Sequence, residues 1–369
     1  MSSRQTFEFI NSYLANMESP IHRHGGIIDK FIGDAIMALF PKSADDALDG
    51  AIAMIGNLRA YNSNRLKAGW DTVDIGIGLN SGLSTLGIIG HSERMETTVI
   101  GDCVNVASRM EGLTKKYNTP ILISEDTLLA LSDPSKYCIR FIDRVRVKGR
   151  HMPLSVYEVF DADDTKITKD KLAGLEIFEK AVAYYHLKEI DEVLGLFERY
   201  LEAIPDDHIA AQYLTWCHQY QERGVYQGIG ELQHAMDWND AYNTGHEEVD
   251  QQHQNLLKNI NLLAQALQDE DMDAIREVLA FLEKYTVEHF GTEGALMKEY
   301  NYPFTKMHME DHQKFIKRVG DLKDELLSGE QDKLYSLFRI NLFLYDWLIS
   351  HSTRVDKHLT TYIAQQQQA

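Results

Sequence analysis

The chain of 369 residues has only three cysteines, and Cys103, Cys138 and Cys217 lie far apart in the sequence. An odd, dispersed set excludes a disulfide framework and a CxxC metal site. Basic residues are short as well: 37 Lys and Arg face 56 Asp and Glu, a formal charge of −19. General binding to nucleic acid needs basic surface to neutralise phosphates, so that class is excluded. No run approaches the roughly 18 consecutive apolar residues of a membrane span, and Met1 to Met17 has no apolar centre of the kind a secretory signal needs. These absences predict a cytoplasmic chain with no membrane contact. The 44% hydrophobic and 25% charged residues are ordinary globular composition, at a length suited to two or three domains. What is abundant is histidine, with fifteen; surface decoration, pH-sensitive groups and metal ligands all remain open.

The pattern along the chain predicts a multidomain protein. Residues 1–160 alternate between element types. A helix around Phe7 to Met17 precedes strands Ile27 to Ile32 and Ala35 to Phe40, which flank Gly33-Asp34 as a β-hairpin. Helices follow at Ala44 to Tyr61 and Val104 to Tyr117, a strand at Val73 to Leu79, and a closing hairpin pairs Arg144 to Val147 with Leu154 to Phe160. Asp45 and Asp46 are read as capping residues. Residues 165–224 read as a short all-α linker, with helices over Lys171 to Lys188, Asp191 to Ile204 and His208 to Arg223. Within residues 232–363, four helical stretches over 247–267, 272–300, 304–327 and 331–361 predict an antiparallel four-helix bundle.

Eight of the fifteen histidines lie from His234 onward. His289 with Glu293 and His308 with His312 are i, i+4 pairs, which project from one helix face. With His253 on the first helix and His351 and Asp356 on the last, all four helices can aim ligands at one point. Five imidazoles and two carboxylates buried without partners would each cost about 2–7 kcal/mol. Metal removes that cost, and the mixture of nitrogen and oxygen donors suits iron, with bridging carboxylates suggesting two ions. His246 and His358 fall outside the set and are expected on the solvated surface.

Trp238, the run Val249-Asp250-Gln251-Gln252-His253, His289-Phe290 with Glu293, His308 with His312, and Trp347-Leu348 before His351 and Asp356 resemble the hemerythrin family. The resemblance implies a non-haem diiron site: His308, His312 and His351 on one iron, His253 and His289 on the other, Glu293 and Asp356 bridging. The second iron then has one ligand fewer, leaving a position for O2, with Trp347 and Leu348 either lining that pocket or serving as plain core.

In the first region two runs stand out, Asp29-Lys30-Phe31-Ile32-Gly33-Asp34-Ala35 and Thr98 through Arg109. A carboxylate on a hairpin turn suits a hard cation beside a polyphosphate. Asn105 and Arg109, i, i+4 at a helix start, place a donor and a cation where phosphate charge develops. Together the runs resemble the class III nucleotidyl cyclases, whose catalytic domain is α/β and ferredoxin-like. The resemblance implies that Asp34 binds Mg2+ or Mn2+, that Lys30 and Thr98 select adenine, that Asn105 and Arg109 stabilise the transition state, and that Lys148 reaches the phosphates. ATP is then the substrate, cyclic AMP and pyrophosphate are the products, and a head-to-tail homodimer is required. The family's first strand, with a second metal aspartate, would precede Phe7, where this sequence leaves no room. Either the chain is a fragment or late start of a longer protein, or the cyclase part has decayed; an absent strand would leave neighbouring strand edges unpaired.

Ala181, Tyr185, Phe197, Leu201, Pro205 and Ala210 resemble a tetratricopeptide-like helix pair, read as a docking element or as a plain helical spacer. The leading expectation is an O2- or redox-responsive signalling protein. The alternatives are a diiron O2-binding protein with a vestigial cyclase part, and a scaffold using only the helical repeat.

Overall fold

A computed structural model describes residues 3–91, 94–146, 153–227, 237–269, 271–328 and 332–368. The chain forms two compact units: residues 1–182 with 194–229, and residues 183–193 with 230–369. Among the described residues, no helix is long and apolar enough to cross a membrane.

The first unit opens with α1 (Ser3–Arg23), the strands β1 (Ile27–Ile32) and β2 (Ala35–Leu39), and α2 (Ala44–Lys67). β1 and β2 pair antiparallel around Gly33-Asp34, where Gly33 adopts φ +66°. That left-handed turn is open to glycine without strain. The cap of α2 is Ser43, whose hydroxyl accepts from Asp46 N. Asp45 and Asp46 occupy the first turn, and the Asp45 carboxylate takes the Ser132 amide and hydroxyl.

The expected strand from Val73 is realised only as β3 (Ile77–Leu79). Val73 spends its backbone groups on Asn62, whose side chain donates to Val73 O at 2.8 Å and accepts from Val73 N at 2.9 Å. After it come the hairpin strands β4 (Thr85–His91) and β5 (Arg94–Ile100), α3 (Asp102–Tyr117), β6 (Ile121–Ser124), α4 (Glu125–Ala130), β7 (Ile139–Arg146) and β8 (Pro153–Val159). The order β3-β6-β8-β7 makes a mixed four-stranded sheet, with β3 parallel to β6 and the others antiparallel. β1-β2 and β4-β5 form separate two-stranded ladders. Within the described residues, β3 is hydrogen-bonded to a strand on one side only. Helix α3 lies directly on β3, because a side chain at Gly76 or Gly78 would collide with Thr114 or with the α3 backbone at Ala107, Met110 and Glu111. The close approach fixes α3, and with it Asn105 and Arg109, against the sheet.

Helices α5 (Thr165–Ala173), α6 (Leu175–His186), α7 (Ile190–Ala203) and α8 (His208–Arg223) follow. The single helix expected over Lys171 to Lys188 is two, divided at Gly174. A Cβ there would come within 2.6 Å of Tyr200 and 3.0 Å of Ile204, so the glycine permits the close approach of α7. Most of this group packs on β7 and β8 around Arg140, which is 1% exposed. Its guanidinium reaches Glu158, Tyr200 at 3.0 Å and Asp207 at 2.6 and 3.2 Å, and lies 3.9 Å from the Phe178 ring centroid. Lys171 closes the network on Glu158 and Asp163 at 2.8 and 2.7 Å. Asp207 also caps α8. Its single carboxylate therefore ties a helix start to a strand.

The second unit is built on α9 (Glu247–Gln268), α10 (Met272–Glu299), α11 (Thr305–Ser328) and α12 (Lys333–Ser350). The last expected helix, over 331–361, is interrupted: a π-turn spans His351–Asp356, and α13 (Lys357–Gln368) continues from it. In a regular α-helix two residues five apart point about 140° away from each other. The wider π-turn brings His351 and Asp356 to the same side.

Removing Arg140 leaves Glu158 and Asp207 buried without their counter-charge. Arg140→Met is expected to destabilise the first unit by about 3–5 kcal/mol, read as a lowered denaturant midpoint. Burial raises both carboxyls, but Arg140 more than offsets it and holds them below the ordinary carboxylate range. Their contribution is therefore present above about pH 4 and lost as pH falls further. The wild-type stability profile should drop more steeply below that pH than that of the variant.

Candidate metal centre and candidate active site

His253 lies on α9, His289 and Glu293 on α10, His308 and His312 on α11, and His351 and Asp356 on the π-turn. All seven side chains are at most 1% exposed. They form two overlapping groups, Glu293 with His308, His312 and His351, and His253, His289, Glu293 and Asp356. Glu293 divides between them: Oε2 lies 3.2 and 2.9 Å from Nε2 of His308 and His312, and Oε1 lies 3.5 Å from Nε2 of His289. Asp356 does the same, with Oδ1 3.1 Å from Nε2 of His351 and Oδ2 2.9 Å from Nε2 of His253. Pairs of ring nitrogens also approach: Nε2 of His253 and His289 are 3.2 Å apart, as are those of His312 and His351.

Aromatic rings clamp the imidazoles. Phe290 stacks on His312 at 3.7 Å, Trp347 on His351 at 4.3 Å, and Tyr285 on His289 at 4.8 Å between centroids. Trp347 and Leu348 both belong to the packed bundle core. Trp238 is half-buried beside His253, and its Nε1 donates to Asn243. Burial pushes His289 down to about 3, so its ring is neutral and offers a lone pair at ordinary pH. Burial also disfavours a charge on His351, but Asp356 and Asp311 outweigh it and hold that ring well above the usual histidine range.

Among the described residues, Glu293 Oε1 and both Asp356 oxygens are buried with no hydrogen-bond partner. Acceptors left so inside an apolar core, facing ring nitrogens that converge on the same point, fit a pair of cations placed between them. A donor set of five imidazoles and two carboxylates fits iron.

Two residues that the ligand spacing does not single out support the set. His351 donates from Nδ1 to Asp311 at 2.7 Å, and His289 from Nδ1 to the Gln252 amide oxygen at 2.8 Å. Each lies one position before a ligand, which is the one sequence signal that points to them. The expectation that His246 and His358 are solvated needs correction. Both are half-buried; His358 Nδ1 accepts from the Tyr302 hydroxyl at 2.5 Å. The π-turn folds His358 back toward Tyr302, away from bulk solvent.

In the first unit, Lys30 on β1 donates from Nζ to Thr98 Oγ1 on β5 at 2.6 Å, across 68 positions of sequence. Asp29, whose side chain is only 5% exposed, lies 3.3 Å from the same ammonium and accepts from Thr98 at 3.5 Å. It holds the Lys30 head in place, a role the sequence run did not suggest. Asp34 is exposed on its turn. Asn105 is exposed and Arg109 half-buried on α3, whose start is pinned by Asn80 donating to Cys103 O at 3.2 Å. Nothing within the chain ties Asn105 or Arg109 to Lys30, Asp34 or Thr98 among the described residues. Lys148 lies outside the described residues.

Comparison with known proteins places both regions. Residues 1–160 match the family model for the adenylate and guanylate cyclase catalytic domain, and residues 244–363 match that for the hemerythrin HHE cation-binding domain. An adenylate cyclase of Anabaena cylindrica is 46% identical over 165 residues, covering 43% of this chain and 33% of that protein. A bacteriohemerythrin of Pseudomonas paraeruginosa is 37% identical over 116 residues, covering 31% of this chain and 72% of that protein. Among solved structures, the adenylyl cyclase CyaB from P. aeruginosa is 29% identical over 44% of this chain and 85% of that one, with a TM-score of 0.39. The chain thus spans about a third of the Anabaena enzyme it matches. The chain belongs to the hemerythrins through residues 244–363, and residues 1–160 form a region that matches the class III cyclase catalytic domain.

Proposed function

We propose that the chain is a signalling cyclase in which residues 1–160 convert ATP to cyclic AMP and pyrophosphate, under control of a diiron centre in residues 244–363 that responds to O2 or redox state. The observation that carries this reading is the pairing, in one chain, of the Lys30–Thr98 contact with seven convergent metal-ligand side chains.

In the cyclase region the reaction forms a bond between the ribose 3′ oxygen and the α-phosphorus. The bond from the α-phosphorus to the bridging oxygen breaks, the 3′ proton leaves, and pyrophosphate departs. Lys30, oriented by Asp29 and Thr98, is placed to donate to the adenine edge, and Thr98 completes that recognition. Asp34, on its exposed turn, would hold the Mg2+ or Mn2+ that accompanies ATP. Asn105 and Arg109 are exposed and half-buried on α3, placed to meet the developing phosphate charge of a nucleotide held by a second copy. Lys148 is assigned to the phosphates.

In the bundle, His308, His312 and His351 would hold one iron and His253 and His289 the other, with Glu293 and Asp356 spanning both. Such a pair, when bound, supplies redox chemistry and reactivity toward O2. Two of its ligands follow directly on α12, and Asp332, the cap of that helix, takes the Tyr184 hydroxyl on both oxygens at 2.8 Å. Tyr184 lies on α6, the same helix that carries Phe178 beside Arg140.

If two copies share each site, mixing D34A with R109A restores activity, because one site of each mixed dimer is intact; random pairing recovers about a quarter of the wild-type rate. Absence of recovery would rule out the shared site. R109A alone should lower cyclic AMP turnover by about 10²- to 10³-fold. The double variant K30E/T98C should move preference from ATP toward GTP, measured as the ratio of kcat/KM values. Cyclic AMP production by the iron-loaded chain should differ between N2 and air, and H308A should abolish that difference while reducing bound iron; equal rates for the wild type would sink the sensor reading.

A further inference from the structure

The five imidazoles that meet in the bundle are held differently at their outer nitrogens. Each turns Nε2 toward the shared centre, so its proton sits on Nδ1. His351 gives that proton to the Asp311 carboxylate at 2.7 Å. His289 gives it to the Gln252 amide oxygen at 2.8 Å. The Gln252 amide nitrogen in turn donates to Thr292 Oγ1 at 3.0 Å, and Thr292 donates to Glu288 O, so the amide is oriented with its oxygen toward the ring. Nδ1 of His253, His308 and His312 has no hydrogen-bond partner among the described residues. One braced imidazole therefore falls in each metal-ligand group, His351 in one and His289 in the other.

The two braces differ in charge. A carboxylate behind an imidazole draws on its Nδ1 proton and raises the basicity of Nε2; a neutral amide does so much less. A more basic donor favours the metal's higher charge. We propose that Asp311 and Gln252 make the two metal positions unequal from outside the ligand set, so that in a half-oxidised pair the ferric ion sits at the position of His308, His312 and His351. The inference rests on the diiron reading above. Neither residue touches a metal position, and both are positioning residues that act through a ring. Three imidazoles against two already bias the pair in the same direction. Variants of Asp311 and Gln252 leave the ligand count unchanged and so isolate the contribution of the outer charge.

The test uses the full chain loaded with iron-57 in the ferrous state under N2. One equivalent of ferricyanide per chain then removes one electron from each pair and becomes ferrocyanide. Mössbauer spectra give the ratio of ferric iron at the three-histidine position to that at the two-histidine position, and the bound iron is counted separately. D311N keeps the hydrogen bond but removes the charge; it is expected to lower the ratio by about five- to tenfold, and D311E to restore it. Q252E places a carboxylate behind the other ring and should lower the ratio from the opposite side. Wild-type ratios in both D311N and Q252E would overturn the proposal. Should D311N fail to fold, an unchanged ratio in Q252E overturns it alone. A wild-type chain that holds fewer than two irons overturns the diiron reading and this inference with it, and the iron count reveals that before any ratio is read.

Discussion

Two carboxylates and five imidazoles converge inside an apolar bundle, with carboxylate oxygens that find no hydrogen-bond partner among the described residues, and the second unit is arranged around that imbalance. A charge removed from water without a partner costs several kcal/mol, far more than a marginally stable domain can leave uncompensated at several sites at once. The helices therefore hold donors in a geometry that fits a metal cation. The π-turn at His351–Asp356 departs from regular helix, and stacked Phe290, Trp347 and Tyr285 keep three of the rings from rotating away. Without that bracing, ring nitrogens 3.2 Å apart would separate.

The first unit solves the same physical problem in the opposite way. Its buried charges are paired within the chain: Arg140 and Lys171 meet Glu158, Asp207 and Asp163. That network serves stability by joining the last two strands to the helices that follow. The residues proposed for the cyclase reaction, Lys30, Asp34, Thr98, Asn105 and Arg109, are exposed or half-buried, where desolvation is small. Lys30 is the intermediate case. Asp29 and Thr98 hold its ammonium, but a third of the side chain remains exposed.

How far the sequence could be read depended on whether a feature was periodic. The i, i+4 spacing of His289 with Glu293 and of His308 with His312 is a property of any α-helix, so both pairs were legible. His351 and Asp356, five apart, are not on one face of an α-helix, and the π-turn that reconciles them has no signature in spacing. Asp311 and Gln252 escaped for a related reason: their role is set by which ring nitrogen each faces across two helices. The strand expected from Val73 failed because a competing local bond from Asn62 took its backbone groups. The single helix expected over Lys171 to Lys188 failed at Gly174, where the close approach of Tyr200 leaves room only for a glycine. The hairpin around Gly33-Asp34 was legible, whereas the Lys30–Thr98 contact across 68 positions became expected only through family resemblance.

The helices between the two family regions carry a constraint of their own. α6 and α7 each contribute residues to both units, with the stretch 183–193 grouped with the bundle and the remainder with the first unit. Within the bundle unit that stretch is anchored by Tyr184 on Asp332 and by stacking of His186 on Phe338. Within the first unit the same helices contribute Phe178 and Tyr200 to the surroundings of Arg140. A regular α-helix does not change length, since each added residue contributes a fixed rise of about 1.5 Å. Within the first unit a shift of Phe178 or Tyr200 would therefore have to break contacts of Arg140 rather than stretch its helix. Arg140 is fully buried and bound on several sides, so it resists partial displacement. The Arg140 network thus holds the first unit's part of α6 and α7 to β7 and β8 as one packed block.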